Sequence, residues 1–248
     1  MKHMKLLGVL LVVAFALSAV AAGAAFAAEP EYLVKLSPFT GTKAVEAEAN
    51  GVQTLKSTGL TIECKKFGLA AGAVIEGGAP GKSKETIQYS ECAVAGFALC
   101  KIFETASLTG AGKITTEALT NKLAYETEAA ALGLTAPYVV VFETTVKNTF
   151  AKFFLEEAKP GSKECPATGS ITVEGDAVIT KALGKDDEDL VTHEIEAPAT
   201  AIKTYWTNNG KDESHKINGL KVIGLAATYS GKAKVKLTSK EEYSISSK

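Results

Sequence analysis

Apolar and polar residues alternate with a period of two through most of this chain, the spacing of strands that turn one face to a core and the other to water. Leu60, Ile62 and Cys64 fall on one side of such a segment, with Thr61 and Glu63 on the other. The same alternation runs through Ile87, Tyr89 and Glu91, through Leu123, Tyr125 and Thr127, and through Ile171, Val173 and Gly175, where the glycine predicts a bulge. It is clearest near the C-terminus. There Lys221 to Tyr229 and Lys232 to Ser239 predict a hairpin turning at Ser230-Gly231. Lys232, Lys234 and Lys236 form its solvated face, and Ala233, Val235 and Leu237 its buried one. Three lysines on one face also suit an edge strand, where charge discourages pairing with another molecule.

Three segments depart from simple alternation. Pro137 to Val146 contains the run Tyr138-Val139-Val140-Val141-Phe142, whose β-branched content predicts a strand buried on both faces. Phe150 to Ala158 spaces Phe150, Phe153, Phe154 and Glu157 as a short helix would, stopped by Pro160-Gly161. Lys122 to Leu134 reads as a strand followed by a loop. Turn residues cluster at Gly77 to Gly81, Gly110 to Gly112, Pro160-Gly161, Gly184 to Asp189 and Asn208 to Gly210. That spacing suits hairpins better than alternating helices and strands, so the expected fold is all-β: an antiparallel β-sandwich or β-barrel with one short helix.

The first residues break the pattern. After Met1-Lys2-His3-Met4-Lys5 no charge occurs from Leu6 to Ala28, and Ala25-Phe26-Ala27 places small residues where a signal peptidase cuts. Residues 1 to 27 therefore read as a secretory signal peptide, and 28 to 248 as a single secreted β-rich domain. Those 221 residues carry 25 lysines against 28 acidic residues, and the chain has no arginine. Bidentate grip on phosphate and base edges is an arginine speciality, so no nucleic-acid partner is expected. No stable membrane insertion is expected once the signal is removed.

An exported chain meets an oxidising compartment, where four cysteines, Cys64, Cys92, Cys100 and Cys165, read as two disulfides. Of the three pairings, Cys92 with Cys100 is expected because they flank a short loop between two strands, which leaves Cys64 for Cys165. Cys-x2-Cys spacing and neighbouring histidines are missing, so no metal and no cofactor is expected. Asp186-Asp187-Glu188-Asp189 reads as a solvated acidic turn lacking the interval pattern of a calcium loop. His193 and His215 sit among polar residues and read as surface histidines, and no Gly-x-Ser-x-Gly elbow occurs. No catalytic residue can be named. Tyr205 and Trp206, beside an Asn-Gly turn, are the candidate ligand contacts, weighed against an ordinary core or hairpin role.

Several features together resemble a known family: the alanine-rich export signal, the strand Gly59-Leu60-Thr61-Ile62-Glu63-Cys64-Lys65, the strand ending in the Cys92 to Cys100 loop, Cys165-Pro166-Ala167-Thr168-Gly169 leading into Ser170 to Thr180, and the terminal hairpin. They resemble the uncharacterised secreted proteins found in many paralogous copies in soil actinobacteria of the Solirubrobacter and Conexibacter kind. The resemblance implies secretion, a β-rich fold and structural bridges at the four cysteines, and adds no activity. Three roles follow as expectations: a non-catalytic secreted or cell-envelope domain binding a ligand, a glycan or a protein; an extracellular hydrolase using Asp or Glu; or a purely structural surface protein. An interior pocket would favour a small apolar ligand, and an exposed Tyr205-Trp206 patch a glycan or protein.

Overall fold

The computed structural model describes residues 28–127, 138–161, 163, 165–175, 177–183, 188–208 and 212–246. The expected signal peptide lies outside the described residues, as do Asp186 and Asp187 of the acidic turn. Twenty-one strands and no helix occur among the described residues.

Two strands, β1 (Glu31–Val34) and β2 (Ser37–Pro38), precede eight long ribs. The first rib is β3 (Thr42–Ala49) running into β4 (Gln53–Ser57), the second β5 (Leu60–Leu69) into β6 (Val74–Glu76), and the third β7 (Lys82–Glu85) into β8 (Ile87–Val94). After β9 (Cys100–Phe103), an extra strand, the fourth rib joins β10 (Ile114–Thr116) to β11 (Leu119–Tyr125). The fifth joins β12 (Tyr138–Thr144) to β13 (Ala151–Glu157), and the sixth β14 (Gly169–Glu174) to β15 (Ala177–Leu183). The seventh starts at β16 (Thr192–Ala197), is interrupted by the hairpin β17 (Thr204–Asn208) and β18 (Asp212–Lys216), and resumes as β19 (Leu220–Val222). The eighth is a single strand, β20 (Leu225–Leu237), followed by β21 (Tyr243–Ser246).

Every rib pairs antiparallel with the ribs before and after it, and the eighth closes on the first. At one end the ring runs β3, β6, β7, β11, β12, β15, β16 and β20, and back to β3. At the other it runs β4, β5, β8, β10, β13, β14, β19 and β20, and back to β4. This is an up-and-down β-barrel, which closes a sheet on itself and leaves no free edge in the ring. Period-two alternation sends Leu60, Ile62, Ile87, Tyr89, Leu123, Phe153, Leu155, Ile171 and Val173 into one buried core. Gly175 lies at the break between β14 and β15.

Several expectations need correction. Ser230-Gly231 is no turn: it lies inside β20, and the hairpin turns instead at Ile223-Gly224. The glycine is there for closeness, since a Cβ at 231 would stand 2.1 Å from Gln53 Oε1. Nor is the lysine row an edge, because β20 is paired with β16 on one side and β3 on the other. Its lysines answer acids on both flanks, Lys236 with Glu46 at 3.4 Å and Lys232 with Glu196 at 3.6 Å. Phe150 to Ala158 holds the strand β13 instead of a helix, with Ala151, Phe153 and Leu155 inward, because pairing with β14 and β9 overrides the helical spacing. Glu91 leaves the face shared by Ile87 and Tyr89: it takes φ +54° and is exposed. The strand expected from Lys122 is β11, and the loop after it falls on residues 128–137, outside the described residues. Tyr138 to Phe142 is buried on both faces as expected.

The two disulfides form with the other connectivity, Cys64–Cys92 and Cys100–Cys165. Cys64 and Cys92 stand directly opposite each other on β5 and β8, both inward. After Cys92 the chain continues as strand to Val94 and turns into β9, which pairs with β13 and so brings Cys100 to the loop that carries Cys165. Loop-entropy arguments give about 3.6 kcal/mol for the bridge spanning 28 residues and about 4.3 kcal/mol for the one spanning 65. Proteolytic mapping without reduction should yield a Cys64 peptide linked to a Cys92 peptide, and Cys100 linked to Cys165. A Cys92–Cys100 product would contradict the strand register.

Candidate functional site

The inward positions of β7 are Ser83 and Glu85, while Lys82 and Lys84 face out. Glu85 thereby enters the lumen together with Ile87 and Tyr89, which continue the same face on β8. Beside it on β11 the inward residue is Asn121, whose Nδ2 donates to Ser83 Oγ at 2.8 Å. Both Asn121 and Ser83 also hydrogen-bond the Glu85 carboxyl group, yet burial outweighs them and pushes its pKa up to about 7. Asn121 Oδ1, also buried, has no hydrogen-bond partner.

A small sheet lies over this end of the lumen. Strands β1 and β21 pair with Tyr32 opposite Ile245 and Val34 opposite Tyr243, and all four side chains join the barrel core. This lid is tied down by Gly81 N–H donating to Pro30 O at 2.7 Å and by Tyr125 Oη donating to Ala28 O. It is also tied by Glu241, which pairs with Lys43 at 2.9 Å and Lys35 at 3.3 Å. Hydrogen bonds from Lys43, Ser239 and Lys35 hold the Glu241 carboxyl at about 2. The Tyr32 and Tyr243 phenols are pushed up, first by burial and then by neighbours that include Glu85.

His193 is buried, contrary to the expected surface position, because period two on β16 sends it inward with Ile195 and Ala197. Its Nε2 shares a hydrogen bond with the Tyr243 carbonyl, so it holds the lid from below. Burial lowers its pKa, opposed by that bond and by the charges of Glu188 and Asp189. His215 is half-buried, with Nε2 2.8 Å from Thr207 Oγ1 and its ring stacked on Tyr205.

Three voids of about 30, 40 and 50 Å³ are strung along the lumen. The largest borders Glu85, His193 and the lid residues Tyr32 and Tyr243. Phe67 and Phe142 separate it from the void at the waist, and Tyr89, Phe150 and Tyr229 separate that one from the third. The walls of the two smaller voids are almost wholly apolar, and the largest is apolar apart from the group of Ser83, Glu85, His193 and Glu194. Outside, the face of β3, β20 and β16 forms a shallow charged groove of about 560 Å³ bearing Glu46, Glu48, Glu194, Lys234 and Lys236.

The candidate contacts Tyr205 and Trp206 do not make an open platform. Tyr205 is 4% exposed and packs from the inner face of the β17–β18 hairpin onto Val139, Val141, Ala177 and Ile179 on the outer wall of the barrel. Trp206 is half-buried, opposite Tyr125 and against the main core. The four cysteines are brought together only as disulfides. Sequence reasoning missed Glu85, Ser83 and Asn121, although the parity of Glu85 with Ile87 and Tyr89 is a readable signal.

Comparison with protein-family models, with curated proteins and with solved structures gives no match to this chain. The two disulfides belong to a protein that works in an oxidising compartment.

A raised carboxyl pKa makes the folded state hold a proton that the unfolded chain releases between about 4.5 and about 7. The contribution of Glu85 to stability is thus full below about 4.5 and lost as pH rises through about 7, by up to about 3 kcal/mol. His193 has the opposite sign, favouring the fold as pH rises toward 6.5. The difference between wild type and Glu85→Gln cancels it. Denaturant melts from pH 4 to 8 should show Glu85→Gln gaining on wild type across that window, and a pH-independent difference would refute a protonated lumen acid.

Proposed function

We propose that this is a non-catalytic secreted or cell-envelope β-barrel domain that binds a small apolar ligand in its lumen. The observation that carries the reading is the string of apolar voids along the barrel axis, ending at one group of polar side chains beneath a three-strand lid. Eight-stranded barrels have interiors that side chains can just fill or that can hold one small ligand. Buried Tyr205 weighs against a glycan stacked on an open aromatic patch. The charged outer face of β3, β20 and β16, with an apolar inside, is the reverse of a barrel that meets lipid, and supports a domain working in water.

A hydrolase using paired carboxylates draws little support from this geometry. Such a pair places a proton-holding acid across from a second carboxylate. Glu85 is an acid of that kind, but no second carboxylate faces it: Glu194 borders the same void and turns its carboxylate outward, where Oε1 accepts from Asn50 Nδ2 at 2.8 Å. The structural surface protein is supported by a different observation: each void is far smaller than the roughly 300 Å³ at which ligand pockets begin. Titration with the neutral dye Nile red and with short alkanols separates the two readings. Saturable one-to-one binding with a rise in Tm is expected, and no binding by any of these probes would leave the structural reading.

A further inference from the structure

From the charge and hydrogen-bonding groups around the void beneath the lid, we infer that the lumen is selective for slender ligands with a primary-amine head, the ammonium pairing with Glu85 and the alkyl tail lying along the barrel axis. This inference rests on the lumen-binding reading and adds the class of ligand. The charge of the interior is one-sided. No lysine borders any of the three voids, and the chain has no arginine, so Glu85 has no permanent cation beside it. Of the two histidines in the described residues, one faces this space, and burial disfavours its charged form. An anionic head would be desolvated with nothing to pair with. A cationic head would meet a carboxylate.

The hydrogen-bonding groups point the same way. The polar residues that border this void are Ser83, Glu85, His193 and Glu194, and Glu194 turns its carboxylate outward, so the Glu85 carboxylate is the charged acceptor facing the space. An ammonium brings three N–H donors and a positive charge to that carboxylate, whereas a hydroxyl has a single hydrogen and no charge. The aromatic rings of Phe67, Phe142, Tyr32 and Tyr243 border the same void and present π faces and edges to a cation. Beyond Phe67 and Phe142 the remaining space is apolar and narrow, so a slender tail would have to displace those rings to extend along the axis.

Three probes of equal length test this at pH 8, where Glu85 is largely ionised and an alkylamine is still protonated: hexylamine, 1-hexanol and hexanoate, each titrated calorimetrically. Hexylamine is expected to bind at least tenfold more tightly than 1-hexanol, and hexanoate not measurably. Glu85→Gln should erase the amine preference while keeping alkanol binding. On the wild type itself, the ¹³C carboxyl resonance of Glu85 should shift when hexylamine is added, a readout that does not depend on how the variant folds. Equal binding of all three probes, an unchanged preference in Glu85→Gln, or an unmoved Glu85 resonance would overturn the amine assignment alone. Failure of every probe to bind wild type would overturn the lumen reading with it.

Discussion

The architecture depends on one closure, the pairing of the last long strand with the first. β20 pairs along its length with β3 and β4, matching Leu237 to Val45 at one end and Ala227 to Ser57 at the other. Until that seam forms, the other ribs make an open twisted sheet whose apolar face has nothing to pack against. Once it forms, the inward residues of all eight ribs become neighbours. The seam is also the most non-local contact in the barrel, joining residues near 50 to residues near 230. Chain entropy makes such a closure costly, and the two disulfides lower that cost by tying β5 to β8 and the β9 region to the loop after β13, which shortens the free chain between the seam's two strands. Gly231 and Gln53 show how tight the seam is: Gln53 Nε2 donates to the Lys232 carbonyl at 2.7 Å, through space that only a glycine leaves open.

Closure also sets what each face can do. With eight ribs the interior is narrow, and Tyr89, Phe142, Phe150, Phe153 and Tyr229 occupy most of it. The outside would carry an apolar patch where Val139, Val141 and Ile179 face away from the core, were it not for the hairpin that interrupts the seventh rib. Tyr205, Ile202 and Ile217 cover that patch. The aromatic residues that draw attention in the sequence are therefore a cover for the wall.

The all-β class was legible because period two persists in rib after rib, and a barrel was one of the two architectures it allowed. Connectivity was harder, because neighbours in a ring are decided by register, which local spacing does not encode. Cys92 and Cys100 are near in sequence, yet Cys64 faces Cys92 across a strand pair. Ser230-Gly231 has the composition of a turn, and nothing local reveals that its glycine makes room for a side chain nearly 180 residues away. Phe150, Phe153, Phe154 and Glu157 fit a helical spacing as well as a strand, and only the partners β9 and β14 decide between them. The polar group in the lumen could have been found. Ser83, Glu85, Ile87 and Tyr89 keep one parity, so a carboxyl group on the face of two core residues was visible, masked by the lysines on either side of Ser83.

That carboxyl group is a puzzle for stability alone. A glutamine at position 85 would occupy nearly the same space and could hydrogen-bond Ser83 and Asn121, without the penalty that a buried carboxylate carries at neutral pH. The lid makes the contrast sharper. Its outer ties, Glu241 with Lys43 and Lys35, are solvated and inexpensive, whereas the acid beneath it is enclosed with two phenols and a histidine. A group that costs the fold something, and whose amide analogue would not, fits the binding role proposed for it, because the acid alone can hold a proton or a cation in an apolar space. Sites where folding and function pull in opposite directions are where binding chemistry is to be sought. In this barrel the residue of that kind is a single glutamate under the lid, away from the exposed charges of β20 and the aromatic hairpin.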